Sequence, residues 1–283
     1  MIGSWARATH EGRPGDGVPN TEHRVDAGWV QWNFAAQLGI VERFGVDVSL
    51  PLRLTTLSAA SFAPDGRSLS ITDTTHRDQT LFSPGDMLTS LRWGLVRDED
   101  VRGWTLDFRF GATLPTGRVR PDPFHPDNDE AVERLSHGSG TVDPWLGVES
   151  FYNAGRWGVT TFANARLPMV TNRYGNRASR VVQAGAGVAT GFGLIKWRFL
   201  LQPEVFVATP LKWREREAPT TGRVTLLAAA GVYVQPRPRF NVNAKLSIPY
   251  YTRTRDGEFL WPFIVLAGIN YTFELIPERE HKH

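Results

Sequence analysis

Charged side chains, mostly arginines, occur at alternate positions along several otherwise apolar segments of this 283-residue chain. Arginine binds carboxylates and phosphates through a planar, bidentate guanidinium group, so a row of such cations would attract anions. The residues of this charged phase are Arg53, Arg92, Asp107, Arg109, Glu149, Arg166, Arg198, Glu204 and Lys245. Cations outnumber acids among them, which predicts a mild preference for anions. The alternative is pairing across neighbouring segments, which we expect for Asp47 and Asp107.

Catalytic and metal-binding patterns are sparse. The chain has no cysteine, which excludes thiol nucleophiles, thiolate metal sites and disulfides. All seven histidines fall in predicted loops or tails, so we expect no Ser-His site within a strand. Loop pairs such as His76 with Asp78, or His125 with Glu130, leave a hydrolase at the outer rim as an alternative. We predict no enzyme, no cofactor, no metal and no nucleic-acid partner. The histidines are His10, His23, His76, His125, His137, His281 and His283.

The elements that must carry these charges are β-strands. Segments such as Val46–Leu54, Trp104–Leu114 and Phe240–Ile248 alternate strictly, which puts apolar residues on one face and polar residues on the other. No stretch approaches the about 18 apolar residues of a membrane helix. A soluble β-sandwich also alternates, but small polar residues opposite the apolar face favour a membrane barrel. The predicted lipid face includes Leu106, Phe108, Phe110, Val242, Leu246, Val265 and Ile269.

Short and long connections alternate along the chain, as they do in transmembrane barrels. Eleven strands are predicted, at 29–41, 44–57, 86–96, 102–115, 142–152, 156–170, 180–190, 194–211, 223–235, 239–251 and 260–274. An even count is expected, so a twelfth strand lies in residues 2–9 or is missing. The fold class is therefore all-β, an antiparallel up-and-down transmembrane barrel of about 12 strands. We divide the chain into an N-terminal segment 1–22, a barrel 23–275 and a polar tail 276–283; residues 1–20 hold no signal-peptide core.

A repeated layout supports one barrel. Each upward strand opens with a basic residue and an aromatic and closes with a proline, as Arg156, Trp157 and Pro168 illustrate. Aromatic rings favour the headgroup level of a bilayer, so they predict a belt at the periplasmic interface. The belt comprises Phe44, Trp104, Trp157, Trp197 and Phe240. The prolines are Pro51, Pro115, Pro168, Pro210 and Pro249, where strand pairing should loosen.

The connection 116–141 is a candidate lid over the pore. Its segment Pro126–Leu135 predicts a short helix with acids in the first turn. The lid residues would be Asp127, Asp129, Glu130 and Glu133. An ordered external loop that packs on its neighbours is the alternative. Basic residues cluster at the same rim and predict contact with lipopolysaccharide phosphates; they are Arg118, Arg120, Arg173, Arg177, Lys212, Arg214, Arg216, Arg253 and Arg255.

Two further segments carry a resemblance. Gly-Ala-Thr-Leu-Pro-Thr-Gly at 111–117 and Gly-Ser-Gly-Thr-Val-Asp-Pro-Trp-Leu-Gly at 138–147 resemble the paired hairpin motifs of a large outer-membrane family. That family is labelled transporter-like or associated with the meta-pathway of phenol degradation, and the resemblance implies a barrel and small-molecule passage. The last strand resembles the signal for the barrel-assembly machinery, ending at Tyr271 and Phe273, although ten residues follow.

Together these patterns predict a channel in the outer membrane of a Gram-negative bacterium. It would pass small molecules by diffusion, anionic or aromatic ones among them. A plugged barrel with a structural or partner-binding role is the first alternative, and the rim hydrolase is the second. We expect a monomer that contacts outer-membrane lipid and lipopolysaccharide.

Overall fold

The computed structural model describes residues 1–11, 22–69, 78–97, 102–119, 136–192, 196–213, 216–217, 222–254 and 261–273. Their secondary structure consists of seventeen strands. No described helix is long and apolar enough to cross a bilayer. The strands are β1 Ile2–Glu11, β2 Glu22–Val41, β3 Phe44–Phe62, β4 Ser68–Leu69, β5 Gln79–Pro84, β6 Met87–Arg97, β7 Arg102–Leu114, β8 Asp143–Ala154, β9 Trp157–Arg166, β10 Asn176–Arg177, β11 Val181–Phe192, β12 Lys196–Ala208, β13 Lys212–Trp213, β14 Arg216–Glu217, β15 Arg223–Arg237, β16 Phe240–Thr254 and β17 Ile264–Tyr271.

Antiparallel pairing closes these strands into a barrel with twelve wall positions. Strands β5 and β6 share one wall position, because both pair with β3, one after the other. Around the wall the order is β1, β2, β3, β5/β6, β7, β8, β9, β11, β12, β15, β16 and β17. The closing seam is short, because β17 meets β1 at Ile2↔Leu266 and Gly3↔Val265. The Met1 amino group also donates to the Ala267 carbonyl. The predicted fold class is confirmed.

The alternation in the sequence places apolar side chains outside and polar ones inside. On the outer face Phe108 is 40% exposed and Ile269 is 72% exposed. On the inner face Ser90, Gln202 and Ser247 are at most 5% exposed. A soluble barrel would have the opposite arrangement, so the apolar exterior is suited to lipid rather than water.

The two ends of the barrel differ in their connections. Tight turns at 42–43, 155–156 and 238–239 mark a short-turn end, where strands β3, β9 and β16 begin. Longer connections occupy the opposite end, which we call the long-loop end. There β10, β13 and β14 form a small separate sheet. This polarity matches the alternation of short and long connections in the sequence.

The observed strands differ from the predicted ones in the first hairpins. Residues 79–84, assigned to a long loop by sequence, form β5 and pair with β3 before β6 continues the same wall position. The first hairpin extends to Glu11↔Glu22, so His10 and His23 lie in strands and not in loops. Polar residues such as Ser83 had weakened the strand signal, although pairing with β3 satisfies their backbone groups.

The prolines mark irregularities rather than uniform strand ends. Pro115 and Pro168 do follow strands closely, but Pro51 lies inside β3 and Pro249 inside β16. Pro51 sits where β3 changes partner from β6 to β5, and Pro249 lies at a register shift between β15 and β16. Proline lacks an N–H donor, so it is accommodated where the ladder is already interrupted.

Candidate functional site

The inner wall carries a charge network built by four neighbouring strands. Asp47 on β3 lies 3.8 Å from Arg92 Nε on β6 and 3.4 Å from Arg109 Nε on β7. Arg109 Nη2 also donates to Glu149 on β8, at 2.9 Å. The register places Arg92 directly opposite Arg109, and Glu149 lies diagonally to Arg109, two residues from its paired position at Gly147. Arg109 is therefore neutralised by two acids, and the network braces the wall.

A second ion pair in the same part of the wall joins Asp107 to Arg97, with 2.6 Å between Oδ1 and Nη2. Asp47 and Asp107, the two acids expected to pair across strands, therefore both have arginine partners. The sequence-based set did not include Arg97. Its position at the end of β6 makes its phase hard to assign, because a register shift between Gly94 and Val96 precedes it.

A third charge cluster lies on β11, β12 and β16. The Glu204 side chain is only 2% exposed and accepts hydrogen bonds from Lys245 Nζ at 2.7 Å and from Gln202 Nε2 at 2.7 Å. Gln183 Nε2 contributes a third, longer bond of 3.3 Å. A buried carboxylate needs such partners, since an unpaired charge would carry a large desolvation penalty. This cluster is structural, and it neutralises Lys245.

Three arginines of the predicted set have no carboxylate partner within the described part of the chain. Arg53 donates to the neutral Gln31 Oε1 and to the His137 carbonyl. Arg198 lies over the Phe151 ring, 5.3 Å from its centroid. Arg166 forms neither an ion pair nor a hydrogen bond with the described residues. Within the predicted set, these three side chains are the cations that form no ion pair with a described acid.

The ends of the 116–141 connection fold into the long-loop end of the barrel. Asp86, between β5 and β6, accepts bonds from the Gly117 amide and from the amide and hydroxyl of Ser139. Asp143 is fully buried and accepts from Thr141 Oγ1. Most of these residues belong to the hairpin motifs singled out in the sequence. The motifs therefore build a buried polar clamp at the root of the loop, defined by Asp86, Ser139, Thr141 and Asp143.

His137 extends this clamp towards β3 and β5. Its Nδ1 lies 2.7 Å from Ser83 Oγ and its Nε2 3.0 Å from Thr55 Oγ1, and the residue is 5% exposed. Burial, and then the positive charge of Arg53, lower the pKa of His137 below its ordinary value. The neutral ring is thereby favoured in the folded protein.

Sequence reasoning missed the contact between Ser83 and His137. The two residues lie 54 positions apart, and no pattern in the sequence links them. The pair does not resemble a nucleophile with its base. Both side chains are buried, and the second ring nitrogen faces a threonine instead of an orienting carboxylate. Among the described residues, no three His, Cys, Asp or Glu side chains are grouped to hold a metal.

The aromatic residues proposed as an interface belt lie at the short-turn end. Phe44 stacks on Trp93, with 6.1 Å between ring centroids. Trp104, Trp157 and Trp197 are 40–59% exposed, and Phe240, the fifth belt residue, begins β16. The proposed lid residues Asp127, Asp129, Glu130 and Glu133 lie outside the described residues, as do His76 and His125.

Comparison with known proteins supports the fold. No family model and no curated protein matches this sequence. Among solved structures, an outer-membrane channel from Pseudomonas putida F1 superposes with a TM-score of 0.57 at 11% identity, over 96% of this chain and 94% of that chain. The transport unit of the autotransporter AIDA-I from Escherichia coli gives a TM-score of 0.42 at 8% identity, over 96% of this chain and 89% of that chain. The first similarity shows a shared barrel fold.

Proposed function

We propose that this chain is an outer-membrane channel through which small molecules diffuse, with a mild preference for anions. The observation that carries the proposal is the composition of the inner wall. It carries many polar and charged side chains beside inward rings such as Phe151, and Arg53, Arg166 and Arg198 form no ion pair with a described acid. Charged side chains that line a pore set its selectivity, so unpaired cations favour anions.

The apolar exterior and the shared fold with a channel support placement in the outer membrane. The hairpin motifs at 111–117 and 138–147 support membership of the transporter-like family. Their buried clamp fixes the loop root at one mouth of the barrel, so they serve the architecture of the pore entrance.

One observation favours the plugged barrel as a second candidate. His137 and its flanking residues enter the mouth and bind β3 and β5 directly. A loop root held in this way narrows the entrance, and a fully obstructed entrance would leave a structural or partner-binding protein. The barrel wall is the same in both cases, so the two candidates differ only in whether solutes pass.

Single-channel recording in planar bilayers tests the proposal. We expect discrete openings, and a reversal potential under a salt gradient that indicates preference for anions. The preference should shrink in concentrated salt, because the Debye length falls from about 10 Å at 0.1 M to about 3 Å at 1 M. Cation preference would contradict the charge assignment. The absence of conductance from correctly folded protein would favour the plugged barrel.

A further inference from the structure

The His137 ring joins the loop root, the described ends of the 116–141 connection, to the barrel wall. Its Nδ1 lies 2.7 Å from Ser83 Oγ on β5, and its Nε2 lies 3.0 Å from Thr55 Oγ1 on β3. The His137 amide also donates to the Arg118 carbonyl, at 3.1 Å, which ties the two ends of the connection together. One residue therefore holds both ends of the connection against two wall strands.

Both ring contacts are compatible with a neutral imidazole. Ser83 Oγ donates to the Pro84 carbonyl at 3.2 Å, so its oxygen can accept from Nδ1–H of His137. Nε2 then accepts from the Thr55 hydroxyl, because a neutral ring has one donor and one acceptor nitrogen. Protonation adds a hydrogen to Nε2, and the Thr55 hydroxyl would then have to turn its own hydrogen away. The charged ring therefore fits these partners less well.

The charges that face His137 disfavour a second cation there. Arg53 on β3 donates from Nη1 to the His137 carbonyl at 3.1 Å. The two residues pack against Gly85, where an added Cβ would lie 3.1 Å from both Arg53 Nε and the His137 carbonyl oxygen. Burial of the ring, and then the charge of Arg53, lower the pKa of His137, and Arg118 adds a smaller repulsion.

No described carboxylate bonds to the ring to offset this repulsion. Asp86, between β5 and β6, accepts three hydrogen bonds from Gly117 and Ser139. Asp143 is fully buried and accepts from threonine hydroxyls. A protonated His137 ring would therefore be a buried charge without an ion-pair partner, which carries a large free-energy cost.

We propose that His137 is a pH-sensitive switch: protonation of its ring releases the loop root from β3 and β5. A released ring enters water, where its ordinary pKa is about 6.5. Below that pH the released state binds more protons than the held state, so release becomes up to about tenfold more favourable per pH unit. Above about pH 7.5 the ring is neutral in both states and the root stays held. Release would widen the mouth of the barrel in acid, and this consequence rests on the proposed function.

Thiol reactivity tests the switch without requiring conductance. The chain has no cysteine, so Ser136→Cys introduces a single thiol next to His137. Ser136 Oγ is buried and has no hydrogen-bond partner in the described part of the chain, so the new thiol should be shielded while the root is held. The probe is dipyridyl disulfide, which reacts with thiols in acid as well as at neutral pH. Each rate for the detergent-folded protein is divided by the rate for the same protein unfolded in denaturant at that pH.

We expect the normalised rate to rise several-fold, and by about tenfold at most, between about pH 7.5 and about pH 5.5. Adding His137→Gln should abolish the rise, because glutamine gains no proton; if that variant does not fold, His137→Asn takes its place. His125→Gln, the same change at the other histidine of the connection, is the matched control and should retain the rise. A rise that persists without His137, or no rise when His137 is present, would overturn the switch.

Planar-bilayer recording tests the consequence for conduction. The unmodified chain should conduct more at about pH 5.5 than at about pH 7.5, and His137→Gln should conduct equally at both. Equal conductance of the unmodified chain at both pH values, with a thiol that becomes reactive in acid, would refute the widening of the mouth. A thiol that becomes reactive in acid in a folded protein that never conducts would refute the channel and retain the switch.

Discussion

Substitution of Lys245 by methionine tests whether the buried cluster on β11, β12 and β16 stabilises the barrel. The change removes the cation from Glu204, whose side chain is 2% exposed. Breaking a buried ion pair from one side costs about 3–5 kcal/mol, since the remaining charge is uncompensated. Gln202 and Gln183 would still donate to Glu204, and Lys245 itself is 24% exposed. We therefore expect the lower end, about 3 kcal/mol.

The measurement is equilibrium unfolding from lipid vesicles in denaturant, with the folded fraction read from tryptophan fluorescence and gel mobility. The double variant Lys245→Met, Glu204→Gln is the matched control. It leaves no buried charge, and its free energy of unfolding should return to within about 1 kcal/mol of the unmodified chain. Equal destabilisation of the single and double variants would show that the cost comes from packing and would refute the electrostatic explanation.

Three further substitutions test other parts of the barrel. Phe108→Arg, on the outer face, should lower the free energy of unfolding in lipid by about 2–4 kcal/mol; Asp107→Arg, on the inner face, should cost less, and equal costs would contradict the assigned faces. Gly138→Ala should lower the free energy of unfolding by about 1–3 kcal/mol, because the added Cβ would lie 2.7 Å from Gly117 backbone atoms. An unchanged melting temperature would show that the backbone at the loop root shifts to accommodate the methyl group. The lowered pKa of His137 implies that this residue favours the unfolded chain as the pH falls below about 6.5, because the ring is protonated more readily there than in the folded protein. His137→Gln should reduce this loss of stability between about pH 7.5 and pH 5 in thermal unfolding, and an identical pH profile would exclude the ring as its source.

The wall strands were predictable wherever one face is wholly apolar. In β7, Phe108 and Phe110 alternate with Asp107 and Arg109, and the structure retains that division between faces. The segment that became β5 was not predictable, because its polar residues and the following Gly85 resemble a loop. Its strand conformation depends on pairing with β3, which is a tertiary effect.

The sequence did not predict which acid pairs with which arginine on the inner wall. The sequence placed Arg109 and Arg166 on the inner phase with equal weight as candidates for anion selectivity. Only the strand register shows that Arg109 meets Asp47 and Glu149, whereas Arg166 meets no described acid. Register depends on how separate hairpins align, and one sequence does not specify it. The His137 contacts were hidden for the same reason, since their partners come from β3 and β5.

The unequal length of the wall strands has a consequence for access from the long-loop end. Strand β3 has 19 residues and β7 has 13, although both begin near the short-turn end. At about 3.3 Å per residue and a tilt of about 40°, the six additional residues raise the rim by roughly 15 Å. The hairpin of β2 and β3 would then project beyond a hydrocarbon layer about 25 Å thick, on one side of the barrel only. A macromolecule approaching a bilayer from the long-loop side would meet this ridge before the mouth of the barrel.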